Sequence, residues 1–109
     1  MAQSVNTKSP QDCKNIMDVR NEIDNIDFEI IRLLSTRSEY VREVVKYKDT
    51  TVSGIQAADR RAAVLESRGQ WAREAGIQPE VIENVYNLLI DYYIGEEMKL
   101  ANIHREGQQ

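Results

Sequence analysis

Three cations, Arg20, Arg37 and Lys48, stand on or beside one apolar stripe. The stripe reads Ile16, Val19, Ile23, Ile26, Ile30, Leu33, Arg37, Tyr40 and Val44, in steps of three and four that mark one face of a helix. Arg37 lies on that face, Arg20 borders it, and Lys48 continues it one turn beyond Val44. Taking water from a guanidinium or ammonium costs several kcal/mol unless something anionic replaces it. A second stripe, Ile82, Tyr86, Leu89, Tyr93, Glu97 and Leu100, carries a carboxyl group where an apolar residue is expected. Cations, one carboxyl and tyrosines between helices suit a small anion. A carboxylate fits best, because arginine presents a planar fork that matches it in a bidentate way. The competing explanation is ordinary ion pairing of the same cations with Asp27, Glu29 and Glu43.

Long helices must position these groups. Ser9 reads as an N-cap, with Pro10 at the first helical position and Asp12 at the capping-box position. From about Pro10 to Lys48 no proline or glycine interrupts the pattern, although a break around Cys13–Asn15 is an alternative, with Asp18 capping a fresh start. Such a helix would be roughly 55–60 Å long. A compact domain of this size has a radius of gyration of only about 13 Å. The stripe therefore needs cover from elsewhere, and an intertwined homodimer buries both copies at once.

Residues 49–56 break the period with turn formers and read as a loop. A second helix is expected from about Ala57 to Ala75, with Ala58, Ala62, Leu65, Gly69 and Ala72 on one face. Gly76 supplies the stop at the C′ position. Pro79 and Glu80 open a third helix that runs to roughly Ile103. Residues 1–8 and 105–109 read as polar tails around a single helical domain over 9–104, with His104 a solvated residue near its end. The expected class is all-α, with three helices per chain and a long first one.

With 14 Lys+Arg against 18 Asp+Glu, the net charge of −4 argues against a nucleic-acid partner. The opening residues carry no apolar run, and nowhere do eighteen apolar residues follow one another, so a cytoplasmic protein without a membrane segment is expected. Cys13 has no cysteine partner and reads as a small, partly buried side chain. Gly-rich phosphate loops, HExxH, GxSxG and Cys/His pairs are missing, and no metal ligand set or cofactor is expected.

Ser9-Pro10-Gln11-Asp12-Cys13, Asp18-Val19-Arg20, Ile23-Asp24, Ile26-Asp27, Leu33-Leu34 with Arg37, Tyr40-Val41, Lys48, Asp59-Arg60, Trp71 and Ile90-Asp91-Tyr92-Tyr93-Ile94 together resemble the all-helical chorismate mutase family. Within it they are most similar to the isochorismate pyruvate-lyases that make salicylate for siderophores. The resemblance spans roughly residues 9–103 and implies an intertwined homodimer with two sites. It implies that Arg37 clamps a substrate carboxylate and that Arg20 reaches across the dimer to a carboxylate in the partner's site. It also implies that Lys48 binds a carboxylate and the ether oxygen of the breaking C–O bond, under a closing loop. Arg60 would complete the cationic ring, with Arg61 the alternative one position on. Tyr93 and Ile94 would be pocket walls, and Glu97 would face the ether oxygen.

Three departures from the family pattern bear on which reaction is expected. Typical bacterial mutases carry an acid at the position of Ala57 and, at that of Arg61, a glutamate that binds the ring hydroxyl of chorismate. Losing both favours the lyase, leaving the mutase as the alternative main activity and a silent binding dimer of the same fold as another. Glu97 stands where many bacterial members have glutamine. A carboxylate would repel an ether oxygen, so Glu97 must be protonated to donate there, a state that burial favours. Its other reading is a seam carboxylate neutralised by Lys48 or Arg37.

Overall fold

In a computed structural model of the chain, residues 8–47 and 57–107 are described. Among them are three α-helices and no strand: α1 at Ile16–Val44, α2 at Ala58–Glu74 and α3 at Pro79–Gly107. Two compact units are distinguished, Met1–Tyr40 and Val41–Gln109.

In the first unit the expected continuous helix from Pro10 gives way to its alternative, a break before Ile16. Pro10–Asp12 form a single 3-10 turn and Cys13 is extended, at φ −73° and ψ 134°. The Ser9 hydroxyl donates to the Asp12 carboxylate at 3.0 Å rather than capping a backbone N–H. The true cap of α1 is reciprocal. Asn15 Oδ1 accepts from the Asp18 amide at 2.8 Å, and Asp18 Oδ2 accepts from the Lys14 amide at 3.0 Å. Two orphan donors are satisfied at one helix start, which makes the restart at Ile16 better than running on from Pro10. Lys8, expected in the polar tail, is tied down: its amide donates to Glu22 Oε2 at 3.2 Å and its ammonium lies 3.8 Å from Asp18. Cys13 is half-buried, as its reading required.

No residue of α1 is buried. Ile16, Val19, Ile23, Ile26, Ile30 and Leu33 are each 41–61% exposed. The helix has 29 residues, hence a length of about 43 Å rather than 55–60 Å. Past Val44 the chain tightens into a 3-10 turn at Val45–Tyr47, a common way for a helix to end.

In the second unit α2 and α3 form an antiparallel hairpin, with Gly69 beside Glu83 and, at the other end, Arg61 beside Asp91. The turn between them is a Schellman motif. The Ile77 amide donates to the Ala72 carbonyl at 2.8 Å and the Gly76 amide to the Arg73 carbonyl at 3.2 Å, with Gly76 left-handed at φ 79°. Gly76 thus ends α2 as expected.

The buried face of α2 is turned from the expected one. Val64, Gly69 and Ala72 are buried, whereas Ala58 and Ala62 are exposed and Leu65 is half-buried. Gly69 serves close approach, since a Cβ there would stand 3.4 Å from Glu83 Cδ. Further along, Arg61 and Arg68 turn toward α3 and bring Val64 inward with them. On α3 the expected stripe holds for Ile82, Tyr86, Leu89, Tyr93 and Glu97, while Leu100 is 42% exposed. The helix continues through His104 to Gly107, beyond its expected end, as no proline or glycine stands between Ile103 and Gly107.

Candidate functional site

In the first unit α1 carries Arg20, exposed, and Arg37, half-buried. They are 17 positions apart on one straight element, about 25 Å along its axis. A molecule with two or three carboxylates cannot span that distance, so one copy of α1 does not offer both arginines to one small ligand.

The acids that could have neutralised these cations are engaged elsewhere. Glu29 Oε2 accepts from Arg32 Nη2 at 2.6 Å, and Glu43 lies 2.9 Å from Lys46. The hydrogen bond from Arg32 holds the Glu29 carboxyl below its ordinary value, and the Arg32 guanidinium is raised in turn. Two of the three acids named for pairing with the cations of α1 thus meet Arg32 and Lys46.

In the second unit Tyr93 and Glu97 are buried one turn apart on α3, with Ile94 half-buried beside them. Tyr93 meets Tyr92 edge to face, ring centroids 5.1 Å apart, which fixes its ring. Arg60 stands exposed in the first turn of α2. Its neighbour Arg61 does not compete with it for a ligand. Arg61 Nη2 donates to Asp91 Oδ1 at 2.8 Å and to Asn87 Oδ1 at 3.0 Å, and Nε donates to the same Asn87 oxygen at 3.2 Å. The Arg61 guanidinium is thus engaged on α3, whereas Arg60 is exposed. Lys48 and the loop expected at 49–56 lie outside the described residues.

Sequence reasoning missed two features. One is the Arg61 clamp itself. The other is Arg68, whose guanidinium carbon lies 4.6 Å from the Trp71 ring centre and 5.6 Å from that of Tyr86, with Nη1 donating to Ser67 Oγ at 2.9 Å. The signal was present in the spacing, because Arg61, Val64, Arg68 and Ala72 recur at helical intervals. A stripe holding two arginines reads as solvated until its acidic and aromatic partners on α3 are known.

The family model for chorismate mutase type II matches residues 19–98, from one residue before Arg20 to one after Glu97. The chain belongs to the chorismate mutase type II family. It is an enzyme of the mutase or lyase type. It is 36% identical to the isochorismate pyruvate lyase of Pseudomonas aeruginosa over 92 residues, 84% of this chain and 90% of that one. To the T-protein of Haemophilus influenzae it is 40% identical over 70 residues, 64% of this chain but 19% of the relative. A bifunctional chorismate mutase/prephenate dehydratase of Buchnera aphidicola is 25% identical over 88 residues, 81% of this chain and 23% of the relative. The all-α, three-helix reading stands with the family. No helix among the described residues is long and apolar enough to cross a membrane.

Proposed function

We propose that the enzyme eliminates pyruvate from isochorismate to leave salicylate, with chorismate mutase chemistry as a side activity at most. The observation that carries this reading is the commitment of Arg61 to Asn87 and Asp91. A mutase of the usual bacterial pattern uses a glutamate at this position for the ring hydroxyl of chorismate. Here the side chain is a cation facing another helix, and Ala57 also has no group to offer. Similarity to a lyase over nine-tenths of that protein's length supports the same choice.

The working enzyme in this proposal is a homodimer, which covers the exposed stripe of α1 and brings Arg20 of one copy to the site of the other. Arg37 and Arg60 bind substrate carboxylates, and Tyr93 and Ile94 wall the ring. Lys48 and Glu97 face the ether oxygen. As the ether C–O bond breaks, a hydrogen passes from the ring to the methylene of the enolpyruvyl arm, giving salicylate and pyruvate. A concerted step of this kind calls on no nucleophile or redox partner. The protein contributes orientation of the arm over the ring and donors aimed at the oxygen that gains charge. Each well-aimed donor is worth on the order of 3 kcal/mol in the barrier.

The test is to supply chorismate and isochorismate separately to the purified protein and follow products by NMR against the uncatalysed background. Salicylate with pyruvate from isochorismate is the expected result. Prephenate alone would make the mutase the main activity, and acceleration of neither would remove the proposal. Arg37→Ala should lower kcat/KM by about a hundredfold, the cost of losing a charged partner for a carboxylate.

A further inference from the structure

The first turn of α2 carries an acid, Asp59, at the positive end of the helix but has no side-chain cap. Its cap residue, Ala57, sits in the left-handed region at φ 40° and ψ 64°, where a residue with a Cβ is strained. Arg60 stands in this turn, and its own charge offsets that of Asp59 at the positive end of the helix. The local interactions of the turn therefore hold it weakly.

Arg61, in the same turn, reaches across to α3 with three hydrogen bonds, two to Asn87 Oδ1 and one to Asp91 Oδ1. The Arg61 side chain is 29% exposed and that of Asp91 is 66% exposed, so solvent screens the pair but does not separate it. Geometry favours the clamp more than charge does, since a planar fork held at two acceptors on successive turns of α3 fixes direction as well as distance. Asp91 precedes Tyr93 by two residues and Glu97 by six, about 3 Å and 9 Å along the helix.

We propose that Arg61 is a positioning residue: its fork on Asn87 and Asp91 holds the first turn of α2, and with it Arg60, against the part of α3 that carries Tyr93 and Glu97. The inference rests on the reading of Arg60, Tyr93 and Glu97 as substrate contacts. It gives the departure from the mutase pattern at residue 61 a function of its own.

Two measurements on the full-length protein test it, with Arg61→Met, Arg61→Lys and Asp91→Asn as variants. In amide hydrogen exchange, Arg61→Met should speed exchange at residues 62–65 by about tenfold and leave residues 69–72 unchanged, with Asp91→Asn acting in the same direction. In steady-state kinetics well below the melting temperature, Arg61→Met should raise KM by about tenfold with a smaller fall in kcat. Asp91→Asn should raise KM less, and Arg61→Lys should recover part of the loss. Unchanged exchange at 62–65 overturns the proposal. So does faster exchange with KM and kcat intact, which would make the clamp structural only. A large KM effect of Arg61→Met that Asp91→Asn does not share also overturns it, because Arg61 would then touch substrate itself. A wild-type protein that accelerates neither chorismate nor isochorismate sinks the functional reading separately. Exchange then decides alone whether Arg61 holds the turn.

Discussion

Tyr93 and Glu97 stand one helical turn apart on α3 and are 8% and 5% exposed, so a carboxyl group is buried directly behind an aromatic wall. If Glu97 acts as the donor to the ether oxygen, Glu97→Gln, which keeps a donor at that position, should hold turnover near the wild-type value. Glu97→Ala should lower kcat by about a hundredfold, the loss of one donor to the oxygen that gains charge. Initial rates of the three proteins are the measurement, and a Glu97→Ala enzyme as fast as the wild type removes this role from Glu97.

Gly76 in the hairpin turn and Gly95 between Tyr93 and Glu97 should respond to alanine in opposite directions. Gly76 has open space where a Cβ would go, but its φ of 79° is strained for alanine, so Gly76→Ala should cost about 1 kcal/mol. Gly95 lies inside α3, also with open space around a built Cβ and with ordinary helical backbone. There Gly95→Ala should stabilise by about 0.5–1 kcal/mol through helix propensity. Urea unfolding at constant slope would read both. The same sign for the two would show that backbone conformation does not govern them.

Much of this hairpin was legible because the signals were local. Gly76 as a C′ stop, Pro79 in a first turn and the alternation from Ile82 to Glu97 each follow from spacing and backbone chemistry. The apolar stripe of α1, with Arg37 on it and Arg20 beside it, was equally plain. What could not be read was which face of α2 turns inward. The pattern of small residues pointed to Ala58 and Ala62, but Arg61 and Arg68 are drawn toward α3 by Asn87, Asp91 and Tyr86, partners between 18 and 30 positions away. Helical periodicity reports the amphipathic face and not such distant polar partners. The start of α1 shows the same limit on a shorter scale: Ser9 and Asp18 read as the candidate caps, and the structure instead places Asn15 as the cap, bonded to the Asp18 amide.

Glu29 and Arg32 make a close but exposed pair on α1, so its consequence is best read by titration. The folded-state carboxyl is lowered, first by its hydrogen bond from Arg32. The pair therefore contributes to stability above the ordinary glutamate range and loses that contribution as pH falls through the depressed value. In carbon-detected NMR, Glu29 should titrate below the other exposed glutamates, and Arg32→Gln should return it to their range. Salt should shrink the difference, because water and ions reach both groups. A Glu29 that titrates with the others before Arg32 is changed would show that the pair does not persist in solution.

The separation of Arg20 and Arg37 along α1 makes a prediction about which copies build a site. With about 25 Å between them on one helix, a single bound dicarboxylate can touch both only if they come from different copies. Arg20→Ala and Arg37→Ala should each keep about one per cent of the activity alone. Mixed and allowed to exchange subunits, half of the dimers should carry one of each variant. In such a dimer one site keeps both arginines and the other loses both. Activity should return to about a quarter of the wild-type value at equal total protein, as follows from two-fold symmetry with one residue donated across the interface. Activity that stays at the level of the separate variants, after mass spectrometry has verified mixed dimers, would place both arginines in one copy's site or remove Arg20 from the site altogether.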